Sequence, residues 1–411
     1  MRRYLPLVML TAILLGGCGP ETLPPAGSGR AGDVVAQESV SATPEATVII
    51  TSTTISTGAM DALSAAPIDH TLTFQGADGS FSVGISLPFE VKLPCGEPHF
   101  APADDRYLCW TGSGLDAQLW VASTENGLIQ LLSRSLSGDF RWSPDGRQVA
   151  YVEWMGDQKS LLRVISLDNG QVADLGPIDS PHFVRFSRAN EVAYIKDAAL
   201  QMVRVPAEPD EAMTRRSLPL ATAGVEEGYK INYTAFEFSP RNDEVAILTV
   251  WGEETGELKL VDLTSGKSKT MTPQLEGTPY LDESFAWSPN GGQLAYITQM
   301  HGESEVWLVD SESGLQRLLW RATREPDGAL LSHSVLRWLP NGQALILAAQ
   351  EESFSWLYRI VGMGDGKVQN LFKGGTGLFA HNRADGRMTL LSVGSFYADP
   401  TYDHIAIDLQ Y

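Results

Sequence analysis

Three cysteines and seven histidines carry most of the reactive chemistry in this chain, and their spacing limits what they can do. His70, His99, His182, His301, His333, His381 and His404 are scattered along the sequence. A zinc site needs ligands at short fixed intervals, as in H-E-x-x-H, and no such interval occurs. A serine nucleophile on a strand-to-helix elbow needs G-x-S-x-G, which is absent. A calcium loop needs oxygen ligands in D-x-D-x-D-G order, whereas Asp145-Gly146 and Asp385-Gly386 have only the turn part of it. Gly374-Gly375-Thr376-Gly377 is glycine-rich but opens no helix, so a phosphate would meet no helix N-terminus there. Neighbouring carboxylates such as Glu253-Glu254 and Glu351-Glu352 read as solvated loop residues. The sequence therefore predicts no catalytic residue, no metal site and no cofactor.

The elements that must position these residues repeat. FRWSPDGRQVAYV starts at Phe140, FEFSPRNDEVAIL at Phe236, FAWSPNGGQLAYI at Phe285 and LRWLPNGQALILA at Leu336. Weaker copies start at His99, Phe183 and Leu378, making seven. Aligned on the turn, the copies are 42, 44, 52, 49, 51 and 44 residues apart. A period of about 40–50 residues is that of a four-stranded propeller blade. Each copy reads strand, turn, strand, loop, strand, turn, strand, with short alternating or β-branched apolar runs. Pro sets φ at the first turn position, Asp or Asn bonds its own backbone, and Gly accepts positive φ. Pro144-Asp145-Gly146 and Pro340-Asn341-Gly342 are the cleanest turns. Trp142, Trp287 and Trp338 share one repeat position with Phe186 and Phe238, and are expected in the core between blades.

The WSPDG-x-x-(I/V/L)-A-(Y/F) phrase resembles the repeat of the TolB-like propellers, relatives of the WD-repeat group. The resemblance spans residues 68–411 and implies an all-β propeller of seven four-stranded blades, with six blades plus a terminal extension as the alternative. The same repeat builds the propeller of prolyl oligopeptidases, and the chain resembles that accessory domain without its hydrolase. The seventh copy has only three strand candidates, so Thr71–Gln75 or Phe81–Leu87 is expected to complete it and close the ring.

Residues 1–17 read as a secretory signal. Arg2 and Arg3 precede a short apolar run, which is too brief to span a membrane. Leu15-Gly16-Gly17-Cys18 resembles a bacterial lipobox, which implies a diacylated Cys18 at the mature N-terminus. More than one acyl chain gives a durable anchor. Residues 18–67 hold no aromatic residue and are rich in Ser, Thr, Ala, Gly and Pro. Such a segment cannot bury enough apolar surface to fold alone. As a flexible coil of this length it reaches roughly 40 Å. The expected location is a bacterial membrane or envelope, lipid-anchored and facing away from the cytoplasm.

The net charge of −20 argues against nucleic acid as a partner. In an exported chain Cys95 and Cys109 are expected to pair, the alternative being two buried thiols. One loop set, joining second to third strands, carries acids beside aromatics. Its members are Glu153, Trp154, Asp157, Trp251, Glu253, Glu254, Glu257, Glu303, Glu351, Glu352, Trp356, Tyr397 and Asp399. Acid beside aromatic suits a cationic or amphipathic protein or peptide, or stacking on a glycan. Ordinary solvated loops are the alternative. The sequence thus reads as a binding or scaffolding module. The rival reading is a glycan hydrolase or lyase with carboxylates around the central funnel.

Overall fold

A computed structural model of the chain describes residues 66–411 apart from 77–78, 103, 113–115, 124–125, 157–159, 179–183, 207–210, 221–231, 242–243, 252–254, 277–284, 301–302, 323–331, 353–354, 365, 376–377, 384 and 394–401. Among the described residues there are thirty strands and no helix. The first three are β1 (Ile68–Gly76), β2 (Gly79–Ser86) and β3 (Phe89–Leu93). Sheet one holds β4 (Gly96–Phe100), β5 (Arg106–Thr111), β6 (Gln118–Ser123) and β7 (Gly127–Ser133). Sheet two holds β8 (Leu136–Trp142), β9 (Gln148–Trp154), β10 (Ser160–Ser166) and β11 (Val172–Ile178). Sheet three holds β12 (Val184–Phe186), β13 (Glu191–Lys196), β14 (Ala199–Arg204) and β15 (Thr214–Pro219). Sheet four holds β16 (Asn232–Phe238), β17 (Glu244–Trp251), β18 (Thr255–Asp262) and β19 (Ser268–Glu276). Sheet five holds β20 (Phe285–Trp287), β21 (Gln293–Met300), β22 (Glu303–Asp310) and β23 (Gln316–Arg321). Sheet six holds β24 (Ser332–Trp338), β25 (Ala344–Glu352), β26 (Ser355–Gly362) and β27 (Val368–Gly374). The closing sheet takes β28 (Phe379–Asn382), β29 (Arg387–Val393), β30 (Tyr402–Gln410) and the three N-terminal strands.

Each sheet is an antiparallel meander with both faces apolar, so each face must find a neighbour. Buried clusters fill every junction in cyclic order. Tyr151 and Leu119 join sheets one and two. Leu162 and Val192 join two and three, and Met202 and Phe236 join three and four. Leu248 and Leu294 join four and five, and Leu308 and Leu347 join five and six. Tyr358 and Leu390 join six to the closing sheet. Leu391 and Tyr107 join that sheet back to sheet one. The first strands of successive sheets lie side by side, as in β8 with β12, β12 with β16, β20 with β24, and β28 with β4. They are the innermost strands around a common axis. The chain is a β-propeller.

The repeat's turn is built as its residues require. In sheet two the Ser143 hydroxyl donates to Asp145 Oδ1 at 2.6 Å and accepts from the Gln148 N–H at 2.8 Å. Ser288 and Asn290 do the same in sheet five. Gly291 stands at φ +65°, and a Cβ there would lie 2.5 Å from Arg241 Cβ. Only glycine fits that position.

Closure differs in detail from the sequence expectation. An N-terminal strand joins the last sheet as expected, β2 (covering most of Phe81–Leu87) standing next to β30, but it is not the main partner. β1 and β2 pair with each other, and β2 reaches β30 only through Gly84–Gln410 and Ile85–Leu409. The strand lying along β30 is β3, whose Phe89–Leu93 pair with Ala406–Tyr402. Pro88 cannot continue a ladder and splits the run. Beyond it, Val91 and Leu93 face inward while Glu90 and Lys92 face solvent. That alternation suits an outer strand.

Candidate functional site

The acids expected on one loop face are divided by the fold. The second and third strands run longer than the turn signals suggest. Only residues 252–254 separate β17 from β18, two residues separate β21 from β22, and two separate β25 from β26. Glu257, Glu303, Glu351 and Glu352, and Trp251 beside them, therefore lie in strands rather than loops. Glu257 is buried and ion-paired with Lys259, two residues on along the same face of β18. Glu153, next to last in β9, is half-buried, accepts from Ser133 Oγ at 2.9 Å and pairs with Arg163. Arg163 in turn holds Asp174 at 2.8 Å. Neither Glu153 nor Glu257 is a solvated docking acid, because each has a guanidinium or ammonium partner within the ring. Trp154 is half-buried and its backbone N–H donates to Ser135 O. Trp356 packs on the cluster joining sheet six to the closing sheet. Asp157, Glu253, Glu254, Tyr397 and Asp399 lie outside the described residues, as does Cys18.

Bases on fourth strands, near the opposite ends of the sheets, also work within the ring. Lys269 donates from sheet four to Glu312 O in sheet five at 2.6 Å. Arg317 donates from sheet five to Met363 O in sheet six at 2.7 Å. Charge-assisted bonds to backbone carbonyls fasten neighbouring sheets without burying the charge.

Cys95 and Cys109 form a disulfide, with Cα atoms 5.7 Å apart and both residues fully buried. It lies in the core between the closing sheet and sheet one. The chain reaches this closure through another fastening. The Ala66 N–H donates to Asp408 Oδ2 at 2.7 Å, and Arg387 Nη1 donates to Ala66 O at 2.7 Å. Asp408 is fully buried and also accepts from Thr389 Oγ1 at 2.6 Å.

The axis carries a charged cluster outside the residues expected from the sequence. One register position recurs on the innermost strands, next to the Trp/Phe column. In successive sheets it holds His99, Arg141, Arg185, Glu237, Ala286, Arg337 and His381. The flanking residues Phe140 and Trp142 face the inter-sheet core, so period two turns Arg141 the other way. Burial first, then the charges of Arg141, Arg337 and Arg185, hold the His99 imidazole well below the usual histidine range. Those arginines come from sheets two, six and three. Sheets three and six share no junction with sheet one, so only the axis can bring them near His99. Asp139 lies two residues before Arg141 and bridges Arg141 at 2.5 Å and Arg185 at 2.8 Å. It also accepts from the Phe140 and Val184 N–H groups. The axial cluster is thus arginine-rich in a chain of net charge −20. Its carboxylate Asp139 is bound by two guanidiniums. The signal lay in reading the column between the core aromatics rather than the aromatics themselves.

No protein-family profile matches the chain, and no characterised relative matches it either. Solved structures similar to it include an oligogalacturonate lyase in complex with manganese, 13% identical at a TM-score of 0.48, covering 83% of this chain and 98% of the other. A putative TolB from Agrobacterium tumefaciens is 12% identical at a TM-score of 0.38, covering 68% and 80%. The Dos1 propeller is 12% identical at a TM-score of 0.44, covering 77% and 93%.

Proposed function

We propose that this chain is a lipid-tethered binding module with a TolB-like ring of seven blades, one sheet to each blade. In this reading residues 1–17 are a signal peptide, an acylated Cys18 is the membrane anchor, and residues 18–67 are the tether. The ring is then held outside the cytoplasm and offers its loops to an envelope or extracellular protein, peptide or glycan. The observation that carries the reading is the fastening of Ala66 to Asp408 and Arg387. It ties the end of the tether to the last strand, so a pull on the anchor loads the closure directly rather than peeling off a free edge. A rigid ring with variable loops recognises partners without needing chemistry of its own. With Glu153 and Glu257 spoken for, the docking acids of this reading are Asp157, Glu253, Glu254, Glu303, Glu351, Glu352 and Asp399, edged by Trp154, Trp251, Trp356 and Tyr397.

Crosslinking the acylated protein in its own membranes tests this. The expected result is one dominant attached species, lost when Glu253, Glu254, Glu351 and Glu352 are changed to Lys, and lost from the membrane fraction in Cys18→Ser. Wild-type membranes that yield no species, or a purified protein that cleaves envelope glycans, would overturn it.

A further inference from the structure

The turns on the side away from the second-to-third strand loops are seated on one another around much of the ring. Arg106 of sheet one donates to Gly146 O in the turn of sheet two at 3.1 Å. Asn190 Nδ2 of sheet three donates to Asp145 Oδ2 of sheet two at 2.7 Å. Gly291 of sheet five stands against Arg241 of sheet four, and Gly342 of sheet six against Pro289 of sheet five. Sheets three and four are also joined here, by Arg216 Nη1 donating to Leu263 O at 3.3 Å, and beside that bond lies a cavity of about 590 Å³ between their turns. The sequence supplies the cause. Arg188-Ala189-Asn190 and Pro240-Arg241 replace the compact Pro-Asp-Gly turn here.

The two walls of this cavity differ in charge. On the sheet-three wall Glu191 is neutralised by Arg216, through bonds of 3.1 and 2.7 Å. Arg188 remains, exposed and with no ion pair among the described residues. On the sheet-four wall Glu244 and Asp262 sit directly opposite each other on β17 and β18. Like charges in that position oppose strand pairing. Asp262 is satisfied by the N–H groups of Thr264 and Ser265. Glu244 has no ion pair among the described residues, and burial together with the Asp262 charge raises its pKa. Arg241 is paired outward to Glu312 of sheet five at 3.7 Å. Phe238 supplies an apolar surface between the walls.

We propose that this cavity binds a zwitterion, a free amino acid or short peptide, with its ammonium at Glu244 and its carboxylate at Arg188. The volume lies within the range of small-molecule sites, and two charges of opposite sign on facing walls, neither ion-paired among the described residues, set the orientation. An ammonium at Glu244 relieves the repulsion from Asp262, and the Arg188 guanidinium presents a fork for a carboxylate. The site rests on the fold alone, so it stands or falls separately from the docking face and the lipid anchor.

Saturation-transfer NMR on the full chain tests it, with the free amino acids and di- and tripeptides of alanine, leucine and lysine as probes at millimolar concentration. A member of this set should bind. Its N-acetylated and C-amidated forms should each bind about tenfold more weakly, roughly 1.4 kcal/mol. Glu244→Gln and Arg188→Gln should each weaken binding of the unblocked probe similarly, while the thermal midpoint stays within a few degrees of wild type. A conservative Arg188→Lys should recover part of the loss. No binding from the whole set overturns the proposal. So does binding that survives amidation, which marks a site for cations alone, or binding indifferent to both substitutions.

Discussion

Trp142, Trp287 and Trp338 show how one residue type does two jobs in each repeat. Their rings fill the junction cores, and their indole N–H groups donate to the preceding sheet, to His99 O at 2.8 Å, Glu237 O at 3.1 Å and Ala286 O at 3.0 Å. Each acceptor belongs to the axial position, so the tryptophan column also fixes the backbone that carries the axial charges. Phe186 and Phe238 fill the same repeat position without the donor. Trp142→Phe should therefore keep the packing and lose the bond, at a cost of about 1 kcal/mol. A urea melt reads this as a lowered midpoint with unchanged slope. The axial histidine adds a pH dependence. His99 binds its proton less readily in the folded ring than in the unfolded chain, because burial and then the charges of Arg141, Arg337 and Arg185 oppose it. Its contribution is complete above the ordinary histidine pKa of about 6.5 and is lost as pH falls below that value. His381 is lowered too, by burial and then Arg383, and adds in the same direction. His99→Gln should flatten the fall in urea midpoint between about pH 7 and about pH 5 relative to wild type. An unchanged fall would place the proton uptake elsewhere, in groups such as His381.

At the scale of the strand and the sheet, closure decides most. The disulfide encloses a short stretch, with a sequence separation of 14, spanning β4 and part of β5. A loop of this size stabilises by about 3 kcal/mol through the unfolded chain. Cys95→Ser with Cys109→Ser should lower the unfolding free energy from urea melts by that order, and reductant should then have no further effect. Sheet number, order and meander topology were legible in the repeat because S-P-D-G turns state their geometry locally. The closing strand was not. Phe89–Leu93 is five residues long and follows a proline, and only its partner β30, some three hundred residues away, makes it a strand. The acidic loop face expected from the sequence was legible only in part, for a related reason. Glu153 and Glu257 carry the same charge as any loop acid, and what removes them from the surface is Arg163 and Lys259 on neighbouring strand positions. The axial arginines were visible as a sequence column, but their convergence comes from closing the ring and not from any local pattern.

At the scale of the whole molecule, the ring has no weak edge where its ends meet. β3 pairs with β30, β2 adds two residues to the same edge, and Asp408 N–H donates to Ser86 Oγ at 2.9 Å. Ala66 is held by the same last strand. A module hung from its N-terminus would need this arrangement, since an open seam at that point would yield first. The measurement that tests it most directly is native-state hydrogen exchange on the full chain, read strand by strand. Amides of β3 and β30 should exchange at the same free energy as those of β9 and β21 within sheets two and five, because the ring opens as one unit. Exchange of β3 at a much lower free energy, with the interior strands still protected, would show a seam that opens by itself and would contradict the closed ring.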